Sequence, residues 1–265
     1  MSGVKRKALV VGVSGASSSG KTTLARLIRD IFPNTFVLHE DDFYKEEKDI
    51  PTKEDVKDWD CPAALSIPDM VSSLKHIQEN GTLPPDFDSK EDRNDIGPCP
   101  VPDSTIANLR ARVDQWTQPG CPGHGILESS VQQPLRMCIF DGFLLYSPSM
   151  NAIQPHMDIK LFLRVSYAKA KERREARSGY ATIEGFWQDP PGYVDQIVWP
   201  NYVEEHRWMF EDGDVEGKLK DEILKEWNIQ CQVDKGPDVD METTLKWTVS
   251  TLMKELEGVA TKPQE

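Results

Sequence analysis

The fold this sequence predicts is α/β: an open, five-stranded parallel β-sheet with helices on both faces. Three observations predict it. Short apolar runs alternate with helical periodicity along most of the chain. The first run is apolar without alternation, as a strand covered on both faces requires. Acidic residues or a Gly/Ser loop recur where the runs stop.

Ala8 to Val13 is the first strand. A Gly/Ser loop follows, and a helix begins near Lys21, with Leu24, Leu27, Ile28 and Ile31 on one stripe and Pro33 just past its end. Phe36 to Leu38 makes a short second strand. Ser66 to Gln78 has helical spacing through Ile67, Met70, Leu74 and Ile77, and stops before Asn80-Gly81. Met137 to Phe140 is the third strand, ending on Asp141, and Ile159 to Val165 the fourth, leading into a charged helix from Ser166 to about Arg177. A helix is expected from about Tyr193 to Phe210, a fifth strand from Ile229 to Val233, and a closing helix from Met241 to Leu256. The chain reads as a single domain over 1–265.

Between 81 and 136 the periodicity mostly fails, apart from a helix expected over Ser104 to Trp116. Prolines 84, 85, 98, 100, 102, 119, 122 and 134 exclude regular strands over most of it. The stretch is too long for an ordinary connection and reads as an irregular surface insertion that adds little to the core.

Composition narrows the function. With 31 Lys+Arg against 44 Asp+Glu the net charge is −13, a field that repels a polyanion, so no nucleic-acid partner is expected. The cluster Lys169, Lys171, Arg173, Arg174 and Arg177 is sized for one phosphorylated ligand. The start has neither the length of a signal peptide nor that of a membrane span, so no membrane partner is expected. Five cysteines without a CxxC pair read as reduced thiols, and cytoplasm is the expected location.

Gly15-Ala16-Ser17-Ser18-Ser19-Gly20-Lys21-Thr22 fits the phosphate-binding pattern G-x-x-x-x-G-K-[ST] at every position, and Thr23 follows. Its glycines let successive N–H groups turn toward a phosphate chain in front of a helix N-terminus. Lys21 would neutralise the β- and γ-phosphates of ATP, and the Thr22 hydroxyl would take a Mg²⁺ position. An ordinary Gly/Ser turn is the bland alternative, but the loop lies between a strand and an amphipathic helix. The fold is therefore expected to be that of the P-loop NTPases.

In such a sheet, ligands bind beyond the carboxyl ends of the strands. Asp41-Asp42, Asp60 and Asp141 fall there or close by. Transfer to an alcohol needs one carboxylate near the attacking hydroxyl and others for magnesium. Singly, each acid would be a solvated loop residue; in a fold with a P-loop, Asp41 and Asp141 become candidates.

The residues resemble those of the nicotinamide riboside kinases, within the uridine kinase-like branch of P-loop proteins. The resemblance lies in Gly12 through Thr23, Glu40-Asp41-Asp42-Phe43-Tyr44-Lys45, Trp59-Asp60, Asp141-Gly142-Phe143-Leu144-Leu145, Arg173-Arg174, and Asp189-Pro190-Pro191-Gly192-Tyr193 with Val198-Trp199-Pro200. It implies that Asp41 acts as general base on a ribose 5′-hydroxyl near Mg²⁺, with Thr22 and Asp141 as further metal positions and Lys21 and Asp141 in the catalytic group. It implies a nucleoside pocket of Asp42, Phe43, Tyr44, Trp59 as the stacking aromatic, Asp60 on the ribose hydroxyls, Arg174, and Asp189. Arg173 and Arg177 would close over the ATP phosphates as part of a lid at 173–192, and Lys235 and Gly236 would lie at the adenine. The sequence departs from the family at Asp141 (a glutamate there) and at Trp59 (a tyrosine there). Its lid is longer, so the second stacking aromatic is Tyr180, Phe186 or Trp187, with Tyr180 taken here. A uridine/cytidine kinase shares the loop, base and lid but needs polar groups matched to a pyrimidine edge. A non-catalytic nucleotide-binding module would need no ribose-binding acid.

Overall fold

The computed structural model describes residues 6–94, 97–127, 135–177, 179–182 and 185–260. Five strands, β1 (Ala8–Gly15), β2 (Thr35–His39), β3 (Arg136–Gly142), β4 (Ile159–Leu163) and β5 (Ile229–Cys231), form one sheet. Their order is β2-β3-β1-β4-β5, and every neighbouring pair is parallel. The covering helices are α1 (Lys21–Ile31), α2 (Ile67–Asn80), α3 (Asp103–Trp116), α4 (Tyr167–Glu175), α5 (Trp199–His206) and α6 (Met241–Ala260).

Alternation along the central strands sorts the core into two layers. Leu9, Val11 and Val13 of β1, with Met137 and Ile139 of β3, pack with Leu24 and Ile28 of α1 and Leu252 and Leu256 of α6. Ala8, Val10, Cys138 and Phe140 point the other way, onto Met70, Leu74 and Ile77 of α2. Both faces are apolar because both are covered, which is why β1 reads as an unbroken apolar run. Among the described residues no helix is long and apolar enough to cross a membrane.

The expectation that 81–136 adds little to the core is corrected. Val101, Leu109, Val113, Trp116, Ile126 and Leu127 are all buried in the layer of α1 and α6. Trp116 meets Phe32 edge-on with ring centroids 6.5 Å apart, and its Nε1–H donates to Glu257 Oε1 at 2.8 Å. The prolines do exclude strands, yet Leu109, Val113 and Trp116 lie at i, i+4 and i+7 on α3, and that stripe is what the core receives. The helix expected from Tyr193 to Phe210 is a π-turn (Val194–Val198) running into α5 and a 3₁₀ turn (Arg207–Met209).

Candidate active site

β1 leaves the sheet at Gly15, where φ is 151° and a Cβ would lie 2.3 Å from the Leu163 carbonyl oxygen on β4. Only glycine fits so close a backbone approach. Gly20 holds the left-handed region at φ 98° and delivers the chain into α1. Lys21, the first residue of that helix, is buried, and its Nζ–H donates to the Ala16 carbonyl oxygen at 3.0 Å. Burial lowers its pKa, while the carboxylates of Asp141 and Asp41 act to keep it charged. An ammonium group is thus held inside the loop, at a helix N-terminus, where an anion is favoured.

Asp41 lies in the 3₁₀ turn Glu40–Phe43 directly after β2, and Asp141 near the end of neighbouring β3. Both line one cavity with Lys21 and Thr22. Burial raises the Asp41 carboxyl to about 7, helped by the nearby Glu91 and Asp141 charges and opposed by Lys21. Asp141 is the opposite case: burial pushes it up, but His39, Lys21 and the Thr22 hydroxyl hold it below the usual carboxylate range. Two acids with divergent proton affinities therefore share one cleft. Glu40 is fully buried; its Oε2 accepts from the Phe143 and Leu144 N–H groups at 2.6 and 3.1 Å, which ties the turn after β3 to the turn after β2.

The far end of the cavity is aromatic. Tyr44, Trp59 and Trp187 line it, Trp59 meeting Tyr44 edge-on at 5.4 Å and Trp187 at 5.7 Å. Asp60 follows Trp59 and is clamped bidentately by Arg174 of α4, with Nη1–Oδ1 at 2.6 Å and Nη2–Oδ2 at 2.9 Å. Arg174 also donates to Asp189 and, at 2.9 Å, to the Ser17 hydroxyl of the phosphate loop. Arg173 donates to the Ser18 carbonyl at 3.1 Å. The basic cluster of α4 thus bridges the phosphate loop and the aromatic end.

A second cavity is lined by Ser19 of the loop with Arg173, Gly236 and Met241 among others. Lys235 is exposed and not part of that lining. Three further expectations change. Phe43 is buried in the core against Phe87 at 5.9 Å and does not line the cavity, so its expected nucleoside contact is corrected. Asp42 is corrected too: its Oδ1 accepts from the Lys90 and Glu91 N–H groups at 2.6 and 3.1 Å, so it anchors the 88–94 segment instead of facing a ligand. Asp189 acts through Arg174 and the Trp187 Nε1–H, 2.9 Å away, and is not among the lining residues. The Tyr180 side chain lies outside the described residues; of the other two aromatics expected there, Trp187 lines the cavity and Phe186 is exposed.

Sequence reading missed His39, Glu91 and Asn94. His39 bonds Asp141 at 2.9 Å, and a signal existed: it closes β2 one residue before the acidic turn. Glu91 and Asn94 line the cavity from a segment without periodicity, where nothing marked them.

A parallel α/β sheet carrying this loop, with carboxylates on the ends of the strands beside it and an aromatic pocket on the same cavity, defines a P-loop kinase for a small hydroxyl-bearing acceptor. The chain is 35% identical over 254 residues to the nicotinamide riboside kinase of Schizosaccharomyces pombe, covering 95% of this chain and 99% of that one. It is 32% identical to the enzyme of the same name from Eremothecium gossypii (81% and 82% covered) and 30% identical to that of Saccharomyces cerevisiae (94% and 97%). No family model matches the chain. The chain belongs to the nicotinamide riboside kinase family.

Proposed function

We propose that this protein transfers the γ-phosphate of ATP to the 5′-hydroxyl of nicotinamide riboside, giving nicotinamide mononucleotide and ADP. One observation carries the reading: three aromatics (Tyr44, Trp59, Trp187) and an acid beside them (Asp60) line the same cavity as Lys21, Thr22 and Asp41. An aromatic face attracts a cationic pyridinium ring, whereas a pyrimidine edge would need matched polar groups.

Asp41 takes the proton from the 5′-hydroxyl as the phosphate is transferred. Burial raises its carboxyl to about 7, toward the proton affinity a general base needs at neutral pH. Lys21 and the loop amides orient the phosphates and neutralise charge that builds on them. Asp60, pre-aligned by Arg174, accepts from the ribose hydroxyls, and Trp59 and Trp187 stack on the ring. The 173–192 region serves as the lid, with Arg173 and Arg177 closing on the phosphates and Gly236 beside the adenine.

The residues present fit a magnesium ion. Among the described residues the buried Asp141 Oδ2 has no hydrogen-bond partner, while His39, Lys21 and the Thr22 hydroxyl hold the acid below the usual carboxylate range. Thr22, Asp141 and Asp41 would hold the ion, a small donor set suited to a cation that keeps several waters and phosphate oxygens. When bound it supplies positive charge to the phosphates. Product analysis tests the reading: incubation with ATP, magnesium and nicotinamide riboside should give a nucleoside 5′-monophosphate by ³¹P NMR, and its absence would contradict it.

A further inference from the structure

Pro191-Gly192-Tyr193 carries part of the family resemblance, yet the proposed reaction gives Tyr193 no task. Locally these residues build a turn. Gly192 takes the left-handed region at φ 81°, and the Tyr193 N–H donates back to the Pro190 carbonyl oxygen at 3.1 Å. Beyond that turn Tyr193 is 2% exposed, and it does not line the cavity.

What Tyr193 touches is the acceptor end of that cavity. Its hydroxyl accepts from the Trp59 N–H at 3.0 Å and donates to the Lys57 carbonyl oxygen at 3.0 Å. Its ring meets Trp187 with centroids 5.9 Å apart, and the Arg174 guanidinium lies 5.5 Å from its centre. Trp59, Trp187 and Arg174 all line the cavity. Asn201 of α5, also buried, grips the same segment one residue further on. Its Nδ2–H groups donate to the Asp58 carboxylate at 2.9 Å and to the Asp60 carbonyl oxygen at 3.3 Å, while Lys53 donates to its Oδ1 at 2.7 Å. Asp58 in turn accepts from the Asp60 N–H at 3.1 Å. Residues 58–60 belong to no strand or helix, so these side chains supply the backbone partners that a ladder would otherwise supply. Among the described residues, neither the Tyr193 nor the Asn201 side chain bonds the phosphate loop.

We propose that Tyr193, together with Asn201, is a positioning residue for the acceptor: it holds residues 58–60 so that the Trp59 ring and the Asp60 carboxylate are in place before the nucleoside arrives. The proposal rests on the nicotinamide riboside reading and adds to it the residues that shape the pocket without touching the ligand. A pocket that its own ligand must order binds that ligand more weakly, by the cost of the ordering. Loss of the Tyr193 hydroxyl therefore weakens acceptor binding and leaves the phosphate end as it was.

The test is steady-state kinetics on the wild type, Tyr193→Phe and Asn201→Ala, with nicotinamide riboside and ATP varied in turn, beside thermal melts that establish that each variant folds. Tyr193→Phe keeps the ring against Trp187 and Arg174 and removes only the hydroxyl. Its KM for nicotinamide riboside should rise roughly tenfold, the scale of one buried donor left without its partner. Its kcat and its KM for ATP should stay within about twofold of the wild type. Asn201→Ala should shift the same constant in the same direction. A folded variant of either kind whose KM for nicotinamide riboside is unchanged, or whose two KM values rise together, would overturn the proposal and leave these side chains a structural role alone. A wild type that does not phosphorylate nicotinamide riboside would instead overturn the functional reading, and the proposal with it.

Discussion

His39 Nδ1 and Asp141 Oδ1 lie 2.9 Å apart, buried at the ends of adjacent parallel strands whose registers pair these two residues directly. Burial alone would push the imidazole down, but the Asp141 carboxylate outweighs it and raises His39 to about 9. The ring is therefore an imidazolium at neutral pH that donates to Asp141 and keeps that acid ionised beside Thr22.

His39→Gln should lower stability in a pH-dependent way. The folded-state value of about 9 lies above the ordinary 6.5, so the histidine's contribution is complete below about pH 6.5 and is lost as pH rises through 9. The shift corresponds to about 3 kcal/mol at most. Urea melts of both proteins at pH 6 and pH 9.5 check this: the gap between wild type and variant should be large at pH 6 and shrink at pH 9.5. A gap that grows with pH would contradict it.

Asp41→Asn and Asp42→Asn should separate cleanly despite their adjacency. Asp41→Asn keeps the shape but removes the proton acceptor, and kcat should fall roughly 10²–10⁴-fold. Asp42→Asn leaves that acceptor in place and weakens the anchor of the 88–94 segment, so its kcat loss should be much smaller, with faster amide exchange at Lys90 and Glu91. Steady-state rates with hydrogen exchange on both variants decide it, and a crippled Asp42→Asn beside an active Asp41→Asn would reverse the two roles.

Excising 83–134 in favour of a Gly/Ser linker should give an inactive, poorly folded protein, because α3 is core and Glu91 lines the cleft. The finer test is Trp116→Ala, which removes the packing on Phe32 and the bond to Glu257 and should cost about 3–5 kcal/mol. Chemical denaturation reads it directly; a loss under about 1 kcal/mol would mean the helix is peripheral after all.

The sheet, its helices and the phosphate loop were legible because each is written in local pattern: an unbroken apolar run, a 3.6-residue stripe, and Gly15 and Gly20 at two of the loop's positive-φ positions. Asp41 and Asp141 were legible as acids on strand ends. Asp42 was not separable from Asp41, since what distinguishes them is a contact with residues 48 and 49 positions away. Glu91 was invisible for the same reason. The helix over 103–116 was readable, but its burial was not, because proline-rich flanks resemble surface chain whether or not the helix between them docks.

Trp59 and Asp60 should divide substrate binding between ring and sugar. Trp59→Tyr keeps an aromatic face and should be nearly silent, while Trp59→Ala should raise KM for nicotinamide riboside, with stacking worth about 1–3 kcal/mol. Asp60→Asn should raise KM further and should hurt a 2′-deoxy acceptor less, since one sugar hydroxyl is already missing. Because Asp60 is also the buried partner of Arg174, its removal should lower the melting temperature as well. Unchanged KM in all of these variants would remove the nucleoside from this pocket.

The central claim is that one cavity joins a phosphate loop to a pocket for a cationic nucleoside. Its most direct measurement is the rate of ADP release by the purified protein with ATP and magnesium, across a panel of nicotinamide riboside, nicotinic acid riboside, uridine, cytidine and no acceptor, with Lys21→Ala as the transfer-deficient control. The account predicts acceptor-dependent release with the highest kcat/KM for nicotinamide riboside, matched mole for mole by nicotinamide mononucleotide, and at least ~100-fold slower in Lys21→Ala. Release that ignores the acceptor, or that is fastest with uridine or cytidine, would contradict it.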